Sequence, residues 1–156
     1  MELTWSDVAA ADLDAASLYD ALVLRAAVFV VEQECAYADP DGTDLGPGVR
    51  HLLGRDDEGA LAAYARVLPP DASYDAPRIG RVVVAPAARG AGLARRLMTE
   101  ALAICEREWP GRAVELGGQA HLVGFYAGLG FESVGEGYVE DGIPHQWMRR
   151  EVRSES

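Results

Sequence analysis

A chain of 156 residues, 49% apolar and 25% charged, has the length and apolar content for one domain with a sizeable core. Its formal net charge of −11 argues against nonspecific attraction to nucleic acid or an anionic membrane surface, and favours the approach of a cationic ligand. No apolar run reaches the roughly 18 residues of a membrane span, the first residues lack the pattern of a secretory leader, and Cys35 and Cys105 are too few for a disulfide framework or zinc site. A cytoplasmic protein with no metal, no membrane partner and no nucleic-acid partner is therefore expected.

In chain order, Leu3 to Ser6 reads as a first strand. Ala15 to Val31 follows as a helix, because Leu18, Leu22, Ala26 and Phe29 fall near helical spacing and Asp14 or Ser17 can cap it. Tyr37 to Gly48, rich in aspartate, glycine and proline, reads as a loop; it and the acidic Glu132 to Asp141 region read either as solvated loops or as the lining of a site for a cationic acceptor. Tyr37 to Gly48 is not an EF-hand: counting from Asp39, Asp44 stands where glycine is needed and no glutamate closes the loop. His51 to Gly54 and Ala60 to Leu68 form a hairpin around the polar turn Arg55 to Gly59. After a second loop, Pro69 to Pro77, the strand Arg78 to Ala85 leads into Arg89-Gly90-Ala91-Gly92. The helix Gly92 to Glu108 carries the stripe Leu93, Leu97, Ala101, Ile104 and Cys105, and Pro110-Gly111 ends it. A short strand Ala113 to Leu116, a short helix Ala120 to Leu129, and a hairpin of Phe131 to Val134 with Ile143 to Arg150 complete the order. The elements describe an α+β sheet with a central crossover, one domain over residues 1–152, and a frayed tail, Arg153 to Ser156.

The junction from Val82 to Ala94 carries the most chemistry. A β-branched run breaks at Pro86 and reopens through two glycines into a helix, so free N–H groups and the positive end of a helix dipole are presented to an anion. A P-loop is excluded, since it needs lysine and all fourteen basic residues are arginine. A dinucleotide fingerprint begun at Gly90 would place Arg95 where close packing wants glycine.

Arg89-Gly90-Ala91-Gly92-Leu93-Ala94 resembles the acyl-CoA-binding signature of the GNAT N-acetyltransferase superfamily. Gly124-Phe125-Tyr126-Ala127-Gly128-Leu129-Gly130-Phe131 is similar to a second segment of the same superfamily. Arg25 to Gln33, Arg50 to Gly54, Ala63 to Arg66, Gly117 to His121 and Glu140 to His145 further resemble its ElaA-like branch, so the resemblance covers essentially the whole chain. It implies a GNAT acyl-CoA N-acyltransferase fold, with a central, mostly antiparallel, twisted sheet flanked by helices. It also implies acetyl-CoA as acyl donor, an amine acceptor that the net charge suggests is cationic, and an assembly that is often a homodimer in the superfamily.

Acetyl transfer requires that the CoA be held, its carbonyl polarised, the incoming ammonium deprotonated and the leaving thiolate protonated. Carried over by position, the backbone from Arg89 through Gly90, Ala91, Gly92 and Leu93 to Ala94 would hold the pyrophosphate. Val82, Val83 and Val84 would pair with the pantetheine arm, one N–H near Val84 polarising the carbonyl. Arg89 would add a charged bond, Arg95 and Arg96 a positive rim, and Gln119 an amide near the cofactor. Tyr126 matches the tyrosine near the CoA sulfur, as proton donor. His121, five residues before it, is the first candidate for the general base, with Glu32, Glu34, Glu115 and His51 as reserves. Trp5, Trp109 and Trp147 are read as packing residues. Two further functions fit the same pattern: a noncatalytic acyl-CoA-binding module, and an acetyltransferase of protein lysines or N-termini.

Overall fold

A computed structural model describes residues 2–152; the expected tail, Arg153 to Ser156, lies outside the described residues. The elements are β1 (Thr4–Ala9), α1 (Ala15–Arg25), β2 (Arg50–Arg55), β3 (Leu61–Leu68), β4 (Arg78–Val84), α2 (Leu93–Glu108), β5 (Val114–Gln119), α3 (Val123–Ala127), β6 (Glu132–Ser133), β7 (Tyr138–Glu140) and β8 (Ile143–Arg150). Asp14 caps α1, its carboxylate accepting from the Ser17 N–H at 2.7 Å. The expected helix to Val31 changes character at Ala26, where a π-helical segment runs to Glu32. The expected helix over 120–129 shrinks to a 3-10 turn, Ala120–Leu122, followed by α3. Gly124, Gly128 and Gly130 weaken the helical pattern there, and Gly130, at φ +95°, lies in the left-handed region. β7, read as loop from the sequence, is an additional strand.

Among the described residues, eight strands form one sheet in the order β1-β2-β3-β4-β5-β8-β6, with β7 also on β8. Every pairing is antiparallel except β4 with β5. One face packs Leu52, Ala63, Ala65, Val67 and Ile79 against Leu97, Met98, Ala101 and Ile104 of α2. The opposite face packs Leu53, Tyr64 and Val83 against Ala21, Leu24 and Val28. The α2 stripe predicted from the 3.6-residue period is therefore the buried one. Both cysteines are buried and unpaired.

Ile79 and Val83 have the same parity yet pack on opposite faces. The cause is a β-bulge: Tyr64 pairs with Val83 and Arg66 with Gly80, so Ala65 alone faces Arg81 and Val82. Arg81 takes φ +51°. Its guanidinium is tied to the 39–41 loop, with Nε 3.0 Å from Asp39 Oδ1 and Nη2 donating to the Asp39 carbonyl at 3.0 Å. The β4–β5 ladder is a single pair, Arg78 with Glu115, and from Ile79 and Leu116 onward the strands diverge around a cavity.

The Tyr37 to Gly48 segment is a loop, but its aspartates turn inward rather than offering a cation site. Arg25, fully buried, donates from Nε to Asp39 at 2.7 Å and from Nη1 to Asp44 at 2.6 Å. Arg66 bridges Asp41 at 2.8 and 2.9 Å and reaches Asp44 at 3.1 Å. Burial raises the Asp44 carboxyl, but the Arg25 bonds and the charges of Arg25 and Arg66 outweigh it and hold the group below the usual carboxylate range.

Candidate active site

The divergence of β4 and β5 opens a cavity of about 930 Å³, within the range of small-molecule sites. At one end lies the β4–α2 junction. Pro86–Ala88 forms a 3-10 turn, Gly90 has φ +89°, and Gly92, at φ +72°, is the N-cap of α2. An added Cβ at either glycine would meet nothing within 4 Å, so it is the left-handed backbone, and not crowding, that calls for glycine. Gly92 has no side chain to cap this helix, and the first internal bond runs from the Arg96 N–H to the Gly92 carbonyl. The N–H groups of Leu93, Ala94 and Arg95 thus face outward at a positive dipole end, while the Leu93 side chain anchors the turn among Ala62 and Ala88.

Val82, Val83 and Val84 all line the cavity. The Ala85 N–H donates to Ala62 on β3, so strand alternation turns the Val84 N–H and carbonyl toward the cleft. Arg89 Nε donates across it to the Val84 carbonyl at 3.3 Å. The two terminal nitrogens of the Arg89 guanidinium donate to Glu32, at 3.0 and 2.7 Å, rather than standing free for an anion. Arg95 is exposed, whereas Arg96 pairs with Glu100 at 2.8 Å.

Tyr126 lines the same cavity and is 6% exposed. Its ring stands edge-on to Phe125 and Phe131 and lies over Gly118, where a Cβ would be 2.7 Å from it. Burial pushes its phenol up to about 12, keeping it protonated, and among the described residues no protein group bonds its hydroxyl. Gln119 donates to the Gln33 side chain at 3.0 Å.

His121 does not line the cavity. The 3-10 turn Ala120–Leu122 leaves its side chain exposed and puts Leu122 on the cavity wall. Among the reserves, His51 is buried with both ring nitrogens bonded at 2.7 Å, to Tyr64 and to the Asp44 carbonyl. Glu115 accepts from Trp147 at 2.6 Å and Arg149 at 3.3 Å, Glu32 holds Arg89, and Glu34 is exposed outside the cavity.

The far end of the cavity is aromatic, with Tyr74, Tyr138, His145 and Trp147. Tyr74 packs on Trp147 with centroids 5.7 Å apart, and Tyr138 stacks on His145 at 5.7 Å and 20°. Trp147 is thus a cavity wall as well as a packing residue. Gly117 lets the Tyr138 hydroxyl sit on the β5 backbone, where a Cβ would clash at 2.4 Å.

The sequence model of the acetyltransferase (GNAT) domain matches residues 44–152. ElaA of Escherichia coli strain K12 is 48% identical over 151 residues, covering 96% of this chain and 97% of its own. The chain belongs to the GNAT acetyltransferase family, in its ElaA-like branch. The crystal structure of E. coli ElaA superposes with a TM-score of 0.90 at 46% identity, over 96% of this chain and 99% of that one. An acyl-CoA N-acyltransferase from Pseudomonas aeruginosa matches at a TM-score of 0.92 and 47% identity, over the same shares. An aminoglycoside 6'-N-acetyltransferase complexed with coenzyme A shares the fold alone, at 14% identity and a TM-score of 0.72 over 98% of this chain and 99% of its own. The mixed sheet flanked by helices is thus the GNAT acyltransferase fold.

Within this GNAT frame, Tyr74 and the side chain of His145 are among the cavity residues to which sequence reasoning assigned no role. A signal was present. Asp141-Gly142 is a two-residue hairpin turn, at φ +49° and +78°, and recognising it would have paired Tyr138 with His145.

Proposed function

We propose that this GNAT protein transfers an acetyl group from acetyl-CoA to the primary amine of a small molecule or peptide, by direct attack of the amine on the thioester. The whole of residues 1–152 acts as one catalytic domain in the cytoplasm. The observation that carries the reading is that the β4–β5 divergence joins three things in one space: the Val84 N–H, the uncapped start of α2, and a Tyr126 hydroxyl left without a hydrogen-bond partner among the described residues.

The backbone from Gly90 to Arg95 supports a pyrophosphate through its outward N–H groups. Val82 to Val84 offer an unpaired strand edge to the pantetheine amides, and the Val84 N–H polarises the thioester carbonyl. Tyr126, kept protonated by burial, donates to the departing sulfur. The acceptor enters from the aromatic end. The arginines lining the cavity there are already ion-paired, Arg66 and Arg81 to the loop aspartates and Arg78 to Asp71 at 2.8 Å, which leaves Glu140 and Asp141 to favour a cation.

Thiol release from acetyl-CoA against polyamines, aminoglycosides, arylalkylamines, amino acids and lysine peptides tests this. Release that requires an amine, and a kcat at least about 100-fold lower in Tyr126→Phe, is expected. Binding of acetyl-CoA without release for any amine would overturn transfer in favour of a binding module.

A further inference from the structure

We propose that His145 is the general base that takes the proton from the acceptor ammonium, an assignment that rests on the amine-acetylation reading above. A primary alkyl ammonium of pKa near 10.4 is free base in only about one molecule in 2,500 at pH 7, so a base beside the thioester has a large effect to exert.

The position is set by the sheet. His145 lies opposite Gln119, the last residue of β5, at the end where β5 has left β4, and its ring lines the cavity with Tyr126. The protonation pattern is set by one bond. Nδ1 lies 2.7 Å from the Ile143 carbonyl, which can only accept, so the ring proton sits on Nδ1 and Nε2 keeps its lone pair. Nε2 is 3.7 Å from Glu140 Oε2, too long to occupy the lone pair but close enough to stabilise an imidazolium. Stacking on Tyr138 fixes the ring plane, and the side chain is only 11% exposed. The other cavity groups are less suited: the arginines are protonated, Asp41 is bound by Arg66 and Thr43, and the Glu140 side chain is 62% exposed to water. Asp141 is exposed on the turn beside it, and the Cys35 thiol donates to the Asp141 carbonyl at 3.0 Å.

The step balances as follows. The ammonium gives one proton to His145 Nε2, and the freed nitrogen pair forms the C–N bond to the thioester carbonyl carbon. The C–S bond breaks with its electron pair on sulfur, which takes the Tyr126 proton. The second proton of the amine restores Tyr126, and His145 returns the first to water. Products are the acetamide, free CoA thiol and one proton.

The test compares wild type with His145→Gln on two acceptors at pH 7, an alkylamine and a low-pKa amine such as an arylamine or hydroxylamine, which is already neutral. With the alkylamine, kcat/KM falls about 10²- to 10⁴-fold; with the neutral amine it stays within about fivefold, and acetyl-CoA affinity is retained. Equal losses on both acceptors, or none on the alkylamine, overturn the assignment while wild-type turnover leaves the acetyltransferase reading standing. If wild type acetylates neither amine class, both fall. Should His145→Gln fail to fold, His145→Ala with imidazole in the buffer serves instead: recovery of alkylamine turnover supports the base, and no recovery overturns it.

Discussion

Asp44→Asn probes the buried ionic cluster that shapes one wall of the cavity. Arg25, Arg66 and Arg81 face Asp39, Asp41 and Asp44, a formally neutral set, and the substitution leaves it with an uncompensated positive charge. Arg25 is 0% and Arg66 4% exposed, so water cannot screen that charge. Breaking a buried pair in this way costs about 3–5 kcal/mol, on the order of 10 °C in Tm for a chain of this size. Urea unfolding at pH 7, followed by tryptophan fluorescence, measures it. The acid limb is a second readout. The folded Asp44 carboxyl titrates below its unfolded value, and so does Asp41, where the Arg66 and Thr43 bonds overcome burial. Their stabilisation is therefore fully present above the unfolded value of about 4 and is lost as pH falls through the folded values. Burial likewise holds His51 below the usual imidazole range, so the unfolded chain takes up its proton first and stability falls in the same direction. In Asp44→Asn the loss between about pH 5 and 3 becomes shallower. A destabilisation below about 1 kcal/mol, or an unchanged acid limb, would refute the reasoning.

Gly118→Ala drives a methyl into the Tyr126 ring, where a Cβ lies 2.7 Å from the ring edge, so kcat falls at least about tenfold in thiol-release assays while acetyl-CoA affinity changes little. An unchanged kcat would show that the Tyr126 position does not matter. Glu32→Gln releases Arg89 from its two-point ion pair beside the helix start. Acetyl-CoA then binds about two- to fivefold more tightly at low salt, an advantage that shrinks as screening increases; weaker binding at low salt would show that the pair itself supports the donor.

The α2 stripe, the glycine-opened helix start and the closing strand Ile143–Arg150 were legible because each rests on local periodicity or on Gly and Pro punctuation. The aspartate cluster was not, because Arg25 meets Asp39 and Asp44 only through the fold, and an acidic loop reads as solvated until its partners are known. The bulge at Arg81 carries no distinctive residue, although it sets which face of the sheet Val83 packs on. His121 is near Tyr126 in the chain, but one 3-10 turn separates their environments. His145, nineteen positions beyond Tyr126, shares its cavity because strand pairing returns β8 to β5.

Isothermal titration of acetyl-CoA into wild type and Gly92→Glu tests most directly whether the Val82 to Ala94 junction holds the donor. At φ +72° a side chain strains the turn by about 1–2 kcal/mol, and its carboxylate faces the anion across the first-turn N–H groups. One-to-one binding by wild type, weakened at least about 100-fold in a folded Gly92→Glu protein, is the predicted result, since the lost N–H cradle and the added repulsion act together. No binding by wild type, or equal affinity in the two proteins, would contradict it.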